Sequence, residues 1–249
     1  MHEAQLHEHN CFITLTYNEE NIPHDYGLKK SDFQKFMKRL RKAIPTKIRY
    51  FMCGEYGETN TLRPHYHACI FGYDFPDKQY YKNSKSGLPL YMSPLLTKVW
   101  RKGNCDIGNL TFESASYVAS YVCKKLLGKD KNTEEYYNYY NRVDPDTGEQ
   151  FIVQPEYVAM SRRPGIAKNW IQTYMEDTWR DDTVIVNRKP QLPPKYYLDQ
   201  IDDEVQKTDI KRSRRLHAIR RNQDMDLATL QQREKVKKLE IKHKRNLGE

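Results

Sequence analysis

The stretch RPHYHACIFG, Arg63 to Gly72, decides how this chain is read. It sets His65 and His67 two residues apart, just after a proline and inside a run of strand-forming residues. Side chains repeat every two residues along a strand, so both imidazoles point to one face of a sheet. Two neighbouring imidazoles do not share an apolar core without partners, which makes the pair half of a candidate metal site. Tyr66, between them, faces the other way, and its ring is expected to pack beneath the sheet.

Outward on the N-terminal side, KIRYFMCGEYG reads as a strand and ETNTLRP as a turn region, so the two strands make an antiparallel hairpin. A turn centred near residue 60 sets Glu55 opposite His65. Two imidazoles and a carboxylate suit a divalent ion with open positions for water and a phosphate oxygen. Glu58 is the alternative carboxylate. The same register brings Cys53 opposite His67, which leaves a closed zinc site of Cys53, Glu55, His65 and His67 as a rival arrangement.

Further out, CFITLTY from Cys11 is another strand. Ser31, with Gln34 in the reciprocal position, is expected to cap a helix. That helix buries Phe33, Phe36, Met37, Leu40 and Ile44 and turns Lys35, Lys38, Arg39, Arg41 and Lys42 outward, until Pro45 ends it. Lys38 and Arg41 on this basic face are candidate contacts to a phosphate backbone. Residues 73 to 94, with three prolines, read as a surface loop. A short helix at Leu95 to Arg101, the strand CDIGNLTF and the extended stretch FIVQPEYVAM follow. SRRPG then introduces a helix through about Arg180, with Arg162 and Arg163 as further phosphate contacts.

In SASYVASYVCKKLLG, Ser114 is expected to cap a helix that Gly128 stops near Leu127. Ala115, Val118, Ala119, Val122 and Leu126 form one stripe that can face the interior. Tyr117 and Tyr121, four apart, fall on one face away from the centre of that stripe. A tyrosine hydroxyl, with a pKa of about 10, is a poor nucleophile unless a cation or a metal-polarised electrophile is near. Lys124 and Lys125 can hold a phosphate or stabilise phenolate charge. Paired tyrosines, a lysine and a two-histidine metal site together point to phosphodiester transesterification.

Composition agrees. The 249 residues carry 42 Lys and Arg against 33 Asp and Glu, a formal +9, and 19 tyrosines, which favours a polyanionic partner with bases to stack on. Five scattered cysteines without a C-x-x-C pair fit a reduced, cytoplasmic compartment. No run reaches the roughly 18 apolar residues of a membrane span, so no membrane partner is expected. From Glu204 to Glu249 there are 14 basic and 7 acidic residues, a net +7 from 14 minus 7, on a helix-forming but apolar-poor sequence. The expected organisation is a domain over 1–182, a proline-containing linker over 183–203 and a basic helical or partly disordered tail over 204–249.

These residues resemble the HUH endonucleases, named for two histidines around a bulky residue, here His65, Tyr66 and His67. FITLTY looks like the family's first strand motif, RPHYHACIFG its metal motif and YVASYVCKK its two-tyrosine motif. With GEYG, FMKRLRK and MSRRPGI, the chain looks closest to the replication initiators of gokushovirus-type microviruses, over roughly residues 11 to 175. The resemblance implies an α+β fold with a central antiparallel sheet of about five strands flanked by helices. It implies Mg²⁺ or Mn²⁺ as cofactor and nicking of single-stranded origin DNA by Tyr117 or Tyr121 through a 5′-phosphotyrosine, with rejoining, in rolling-circle replication. The host replication helicase or polymerase is the further partner of such an initiator. A non-catalytic nucleic-acid-binding protein with structural zinc, or a two-tyrosine HUH transposase or plasmid initiator, is the alternative reading.

Overall fold

The structure is a computed structural model that describes residues 1–57, 62–84, 86–124, 133–144, 147–222 and 227–246, without the side chains of 121–124, 135, 221–222 and 241–246. The chain divides into two compact units, Met1–Ala167 and Lys168–Glu249. The first runs α1 (His2–Gln5), β1 (Asn10–Thr16), α2 (Lys30–Ala43), β2 (Arg49–Tyr56), β3 (Pro64–Phe71), β4 (Gln79–Asn83), β5 (Pro89–Met92), α3 (Pro94–Trp100), β6 (Cys105–Asn109), α4 (Phe112–Lys124), α5 (Glu134–Tyr140), β7 (Asn141–Val143), β8 (Gln150–Ile152) and β9 (Tyr157–Met160). Seven strands form one antiparallel sheet in the order β4-β5-β6-β1-β3-β2-β9, and β7 pairs with β8 apart from it.

The sheet is α+β and flanked by helices, as expected, but two strands wider. Residues 73 to 94, expected as a loop, contain the β4–β5 hairpin. Prolines and turn formers mask it in the sequence, yet Pro89 stands at the first residue of β5, where a strand tolerates proline. FIVQPEYVAM splits around Pro155 into β8 and β9, which join different sheets.

Period-two alternation sorts the central strands. In β1, Cys11, Ile13 and Leu15 are buried while the residues between them are half-exposed. In β3, Tyr66, Ala68 and Ile70 join that same core against Phe33, Phe36 and Leu40 of α2 and Leu96 and Trp100 of α3. Each large apolar side chain so buried contributes about 1.5–3 kcal/mol. His65 and His67 therefore emerge on the opposite face, where α4 crosses β2, β3 and β9. Tyr66, 0% exposed, packs beneath the sheet against Trp100, Phe33 and Tyr17.

Three caps differ from expectation. Helix α2 begins at Lys30, one residue ahead of Ser31. Its entry is held by the Tyr66 hydroxyl, which donates to the Lys29 carbonyl and accepts from the Lys29 N–H, both at 3.0 Å. Helix α4 starts at Phe112, because Thr111 Oγ1 accepts from Ser114 N at 3.2 Å while Ser114 Oγ accepts from Thr111 N at 2.9 Å. Ser114 is thus the reciprocal member of a capping box rather than the cap itself. Arg39, expected outward, donates to the Val99 and Trp100 carbonyls at 2.7 and 3.1 Å and satisfies the end of α3. The expected stop of α4 at Leu127 and Gly128 lies outside the described residues.

The second unit holds α6 (Lys168–Thr173), α7 (Met175–Arg180), β10 (Val184–Val186), β11 (Lys189–Gln191), α8 (Lys195–Leu198), α9 (Glu204–Asn222) and α10 (Leu227–Asn246). The single helix expected through Arg180 is interrupted at Tyr174, whose φ of −109° and ψ of 27° are not helical. The segment expected as a linker carries the β10–β11 hairpin and α8. Trp170 packs on Tyr174 and Tyr197, and Arg214 of α9 grips Asp182 with two hydrogen bonds of 2.7 and 2.6 Å. The described side chains of α10 are exposed. Among the described residues no helix is long and apolar enough to cross a membrane.

Candidate metal and nucleophile site

The β2–β3 register pairs Glu55 with His65 and Cys53 with His67, as a turn centred near residue 60 requires. Neighbours across an antiparallel pair share a face, so the carboxylate stands beside both imidazoles. His65 Nε2 lies 2.7 Å and His67 Nε2 2.8 Å from the same atom, Glu55 Oε1. Tyr117 of α4 donates its hydroxyl to that oxygen as well, at 2.8 Å. The His67 ring meets the Tyr117 ring edge-on with centroids 5.2 Å apart.

The far nitrogens of both rings are held in place. His65 Nδ1 donates to the Arg63 carbonyl at 3.0 Å, which leaves Nε2 to face the centre. His67 Nδ1 lies 2.9 Å from Thr14 Oγ1, and a hydroxyl donates or accepts according to the tautomer it meets. Phe12, two residues before Thr14, stacks on the His67 ring at 5.4 Å and 16°.

The charge pattern follows from one carboxylate serving two imidazoles. Burial pushes the Glu55 carboxyl up, but the hydrogen bonds and charges of His65 and His67 outweigh it and hold the group at about 2. For His65, burial favours the neutral ring, yet the Glu55 hydrogen bond and charge prevail and its pKa is raised. For His67 burial prevails and its pKa is lowered. The three groups titrate as a unit in which one imidazolium balances the single negative charge.

The donor set fits a divalent cation. Glu55, His65 and His67 offer ligand atoms that all lie within 4.8 Å of one another. Glu55 Oε2 is buried without a hydrogen-bond partner, an acceptor that a cation would satisfy. Imidazoles whose other nitrogen is tied to a carbonyl or hydroxyl are oriented as metal ligands are. Cys53 is not in this cluster. Its fully buried side chain packs with Cys69, Phe71 and Val118, so the four-ligand zinc arrangement is not formed.

Helix α4 is rotated relative to the expected stripe. Val118 is fully buried and Ala115 partly so, but Ala119 is exposed, and half-buried Tyr117 takes the place nearest the histidines. The tyrosine hydroxyl satisfied by Glu55 explains why the ring turns inward. Tyr121 and Lys124 belong to α4 with side chains outside the described set, and Lys125 and Glu58 lie outside the described residues. Lys38 and Arg41 are exposed on α2, the layer opposite the histidines. Arg162 and Arg163 are exposed in the loop after β9, where Arg49 donates to the Pro164 and Gly165 carbonyls. Arg49 is six strand residues from Glu55, so this loop sits roughly 20 Å along β2 from the site. Thr14 and Phe12 were not picked out from the sequence. Their signal was the same period-two spacing in CFITLTY that singled out the histidines.

An antiparallel sheet that presents two alternating histidines and a cross-strand carboxylate to a tyrosine on a covering helix has the arrangement of an HUH-like fold. Residues 10–126 match the replication-associated protein ORF2 family, to which the chain belongs. It is 32% identical over 207 residues to replication-associated protein VP4 of Bdellovibrio phage phiMH2K, an alignment covering 80% of this chain and 59% of that protein. It is 30% identical over 219 residues to replication-associated protein ORF2 of Spiroplasma virus 4, covering 80% of this chain and 64% of that protein. A shorter match, 32% over 133 residues, joins it to replication-associated protein ORF4 of Chlamydia phage 1, with 50% of this chain and 33% of that protein covered. The chain thus spans about three fifths of the length of the first two relatives. No solved structure matches it.

Proposed function

We propose that the protein initiates replication of a small circular phage genome by nicking single-stranded origin DNA and later rejoining it. The observation that carries this reading is the 2.8 Å contact between the Tyr117 hydroxyl and Glu55 Oε1, the oxygen on which both histidines converge. A nucleophile and a cation site are thereby neighbours, which transesterification at phosphorus requires.

Glu55, His65 and His67 would hold Mg²⁺ or Mn²⁺. Such an ion, when bound, polarises a phosphoryl oxygen and offsets charge on the phosphate. Tyr117 supplies the attacking oxygen. The proton it now donates to Glu55 is the one lost as its oxygen bonds to phosphorus. The bond from phosphorus to the 3′ oxygen breaks, and that oxygen takes up a proton and ends as a free hydroxyl from which a host polymerase extends. The number of phosphate ester bonds is unchanged, so attack by a 3′ hydroxyl on the phosphotyrosine reseals the strand without a nucleotide cofactor. Tyr121, one helical turn on, is the second nucleophile for the regenerated origin, and Lys124 and Lys125 follow it to receive phosphate charge. The basic α9 and α10 add salt-sensitive affinity for DNA, and the reaction takes place in the cytoplasm of the host.

Incubation of the full chain with labelled circular single-stranded phage DNA and Mn²⁺ tests this. A protein linked to the 5′ end of the cut strand is expected, and mapping the linked nucleotide locates the origin. Cleavage that leaves no covalent adduct would overturn the tyrosine mechanism.

A further inference from the structure

On the site face, α4 spans only β2, β3 and β9. Beside the histidines, the same face of β1, β6 and β5 stays half-exposed or exposed at Phe12, Thr14, Thr16, Gly108, Leu90 and Met92. The register fixes these side chains to one face: Phe12 stands beside Gly108, and Leu90 is the side chain a Cβ at Gly108 would meet, at 3.7 Å. Lys82 of β4 pairs with Leu90 and continues the row to the sheet edge. All five residues of β4 are exposed, with Tyr80 61% and Tyr81 53% exposed, and the Lys82 ammonium lies over the Tyr81 ring at 4.9 Å.

The charge along this segment is one-sided. Between Asp77 and Asp106 the sequence has no Asp or Glu, and it carries Lys78, Lys82, Lys85, Lys98, Arg101 and Lys102. A strand at a sheet edge with open tyrosines, lysines and no acid is built to meet a polyanion that has flat rings. The sheet spacing of about 4.8 Å per strand puts β4 roughly 19 Å from β3, a few nucleotides from the site.

We infer that the β4–β5 hairpin is a single-stranded DNA grip, in which Tyr81 stacks on a base and Lys82 meets a phosphate of the strand whose other part lies at Tyr117. The inference rests on the nicking reading for its geometry, but the hairpin's affinity for DNA is measurable without cleavage. The strand then runs from the histidine site across Phe12 and Leu90 to the edge, perpendicular to the β-strands.

The test uses the full chain and a fluorescein-labelled 20-nucleotide oligo(dT), with EDTA present so that no cutting intervenes. Tyr81→Ala with Lys82→Glu is expected to weaken binding at least tenfold and to flatten the salt dependence. Lys82→Arg should bind as the parent does, and Lys35→Glu, an equal charge change on exposed α2, should have little effect. Crosslinking of 5-iodouracil-substituted oligo(dT) is expected to label residues 79–92. Unchanged affinity in the hairpin variant, an equal loss in Lys35→Glu, or crosslinks confined to other segments would each overturn the grip. If the parent forms no adduct with phage DNA but the hairpin variant loses oligo(dT) binding, the nicking reading falls and the grip stands. If adducts form equally in parent and hairpin variant and affinity is unchanged, the grip alone falls.

Discussion

The Thr14 hydroxyl lies 2.9 Å from Nδ1 of His67, so a side chain on β1 sets the ring orientation of a candidate ligand on β3. Removing it leaves the ring its stacking on Phe12 but no polar partner on that nitrogen. Thr14→Val, nearly equal in shape, should therefore weaken Mn²⁺ affinity about 10–100-fold with little loss of stability. Calorimetric titration with Mn²⁺ checks this; affinity equal to that of the parent would show that Thr14 does not orient the ring.

The double variant Tyr117→Phe, Tyr121→Phe should form no covalent adduct with origin DNA while binding it as the parent does. Denaturing gels of labelled DNA read the adduct directly. An adduct that survives in the double variant would assign the nucleophile to another residue.

Glu55→Gln keeps the shape of the side chain and removes the charge on which two imidazoles and a phenol converge. The variant should lose the Mn²⁺-induced rise in melting temperature that the parent shows, and its nicking should fall at least a hundredfold. EDTA should do the same to the parent and be reversed by added Mn²⁺. Full nicking by Glu55→Gln would remove the carboxylate from the site.

Tyr66 belongs to the fold rather than the chemistry. Its buried hydroxyl contacts the Tyr17 hydroxyl at 2.8 Å and both backbone groups of Lys29. Tyr66→Phe should cost about 1–3 kcal/mol in urea unfolding, because buried partners are left unpaired. The variant should still take up Mn²⁺ with parental affinity, since this ring faces away from the ion.

In α9, Lys211, Arg212 and Arg215 are exposed, while Arg214 is engaged by Asp182. Changing the three exposed residues to Gln should reduce the slope of log affinity against log salt by up to about 2, at about 0.7 per lost phosphate contact. An unaltered slope would mean that this helix does not touch DNA.

The sequence alone determined the metal site to a large extent. The spacing of His65 and His67, with a hairpin turn of countable length, placed Glu55 across from His65 because strand period and antiparallel register are local rules. The direction of Tyr66 and the buried face of α2 were legible for the same reason. Hidden from it was anything decided by distant partners. The hairpin β4–β5 looked like a loop because its exposed edge lacks a hydrophobic alternation, and only pairing with β6 makes it part of the sheet. Arg39 looked solvated until the end of α3 supplied carbonyls for it. The rotation of α4 that brings Tyr117 to Glu55 and leaves Ala119 outside was likewise fixed by packing across 62 residues of sequence. Strand period and register act between residues joined by a few bonds, whereas the docking of a helix on a sheet is settled by the polar and apolar groups it meets there.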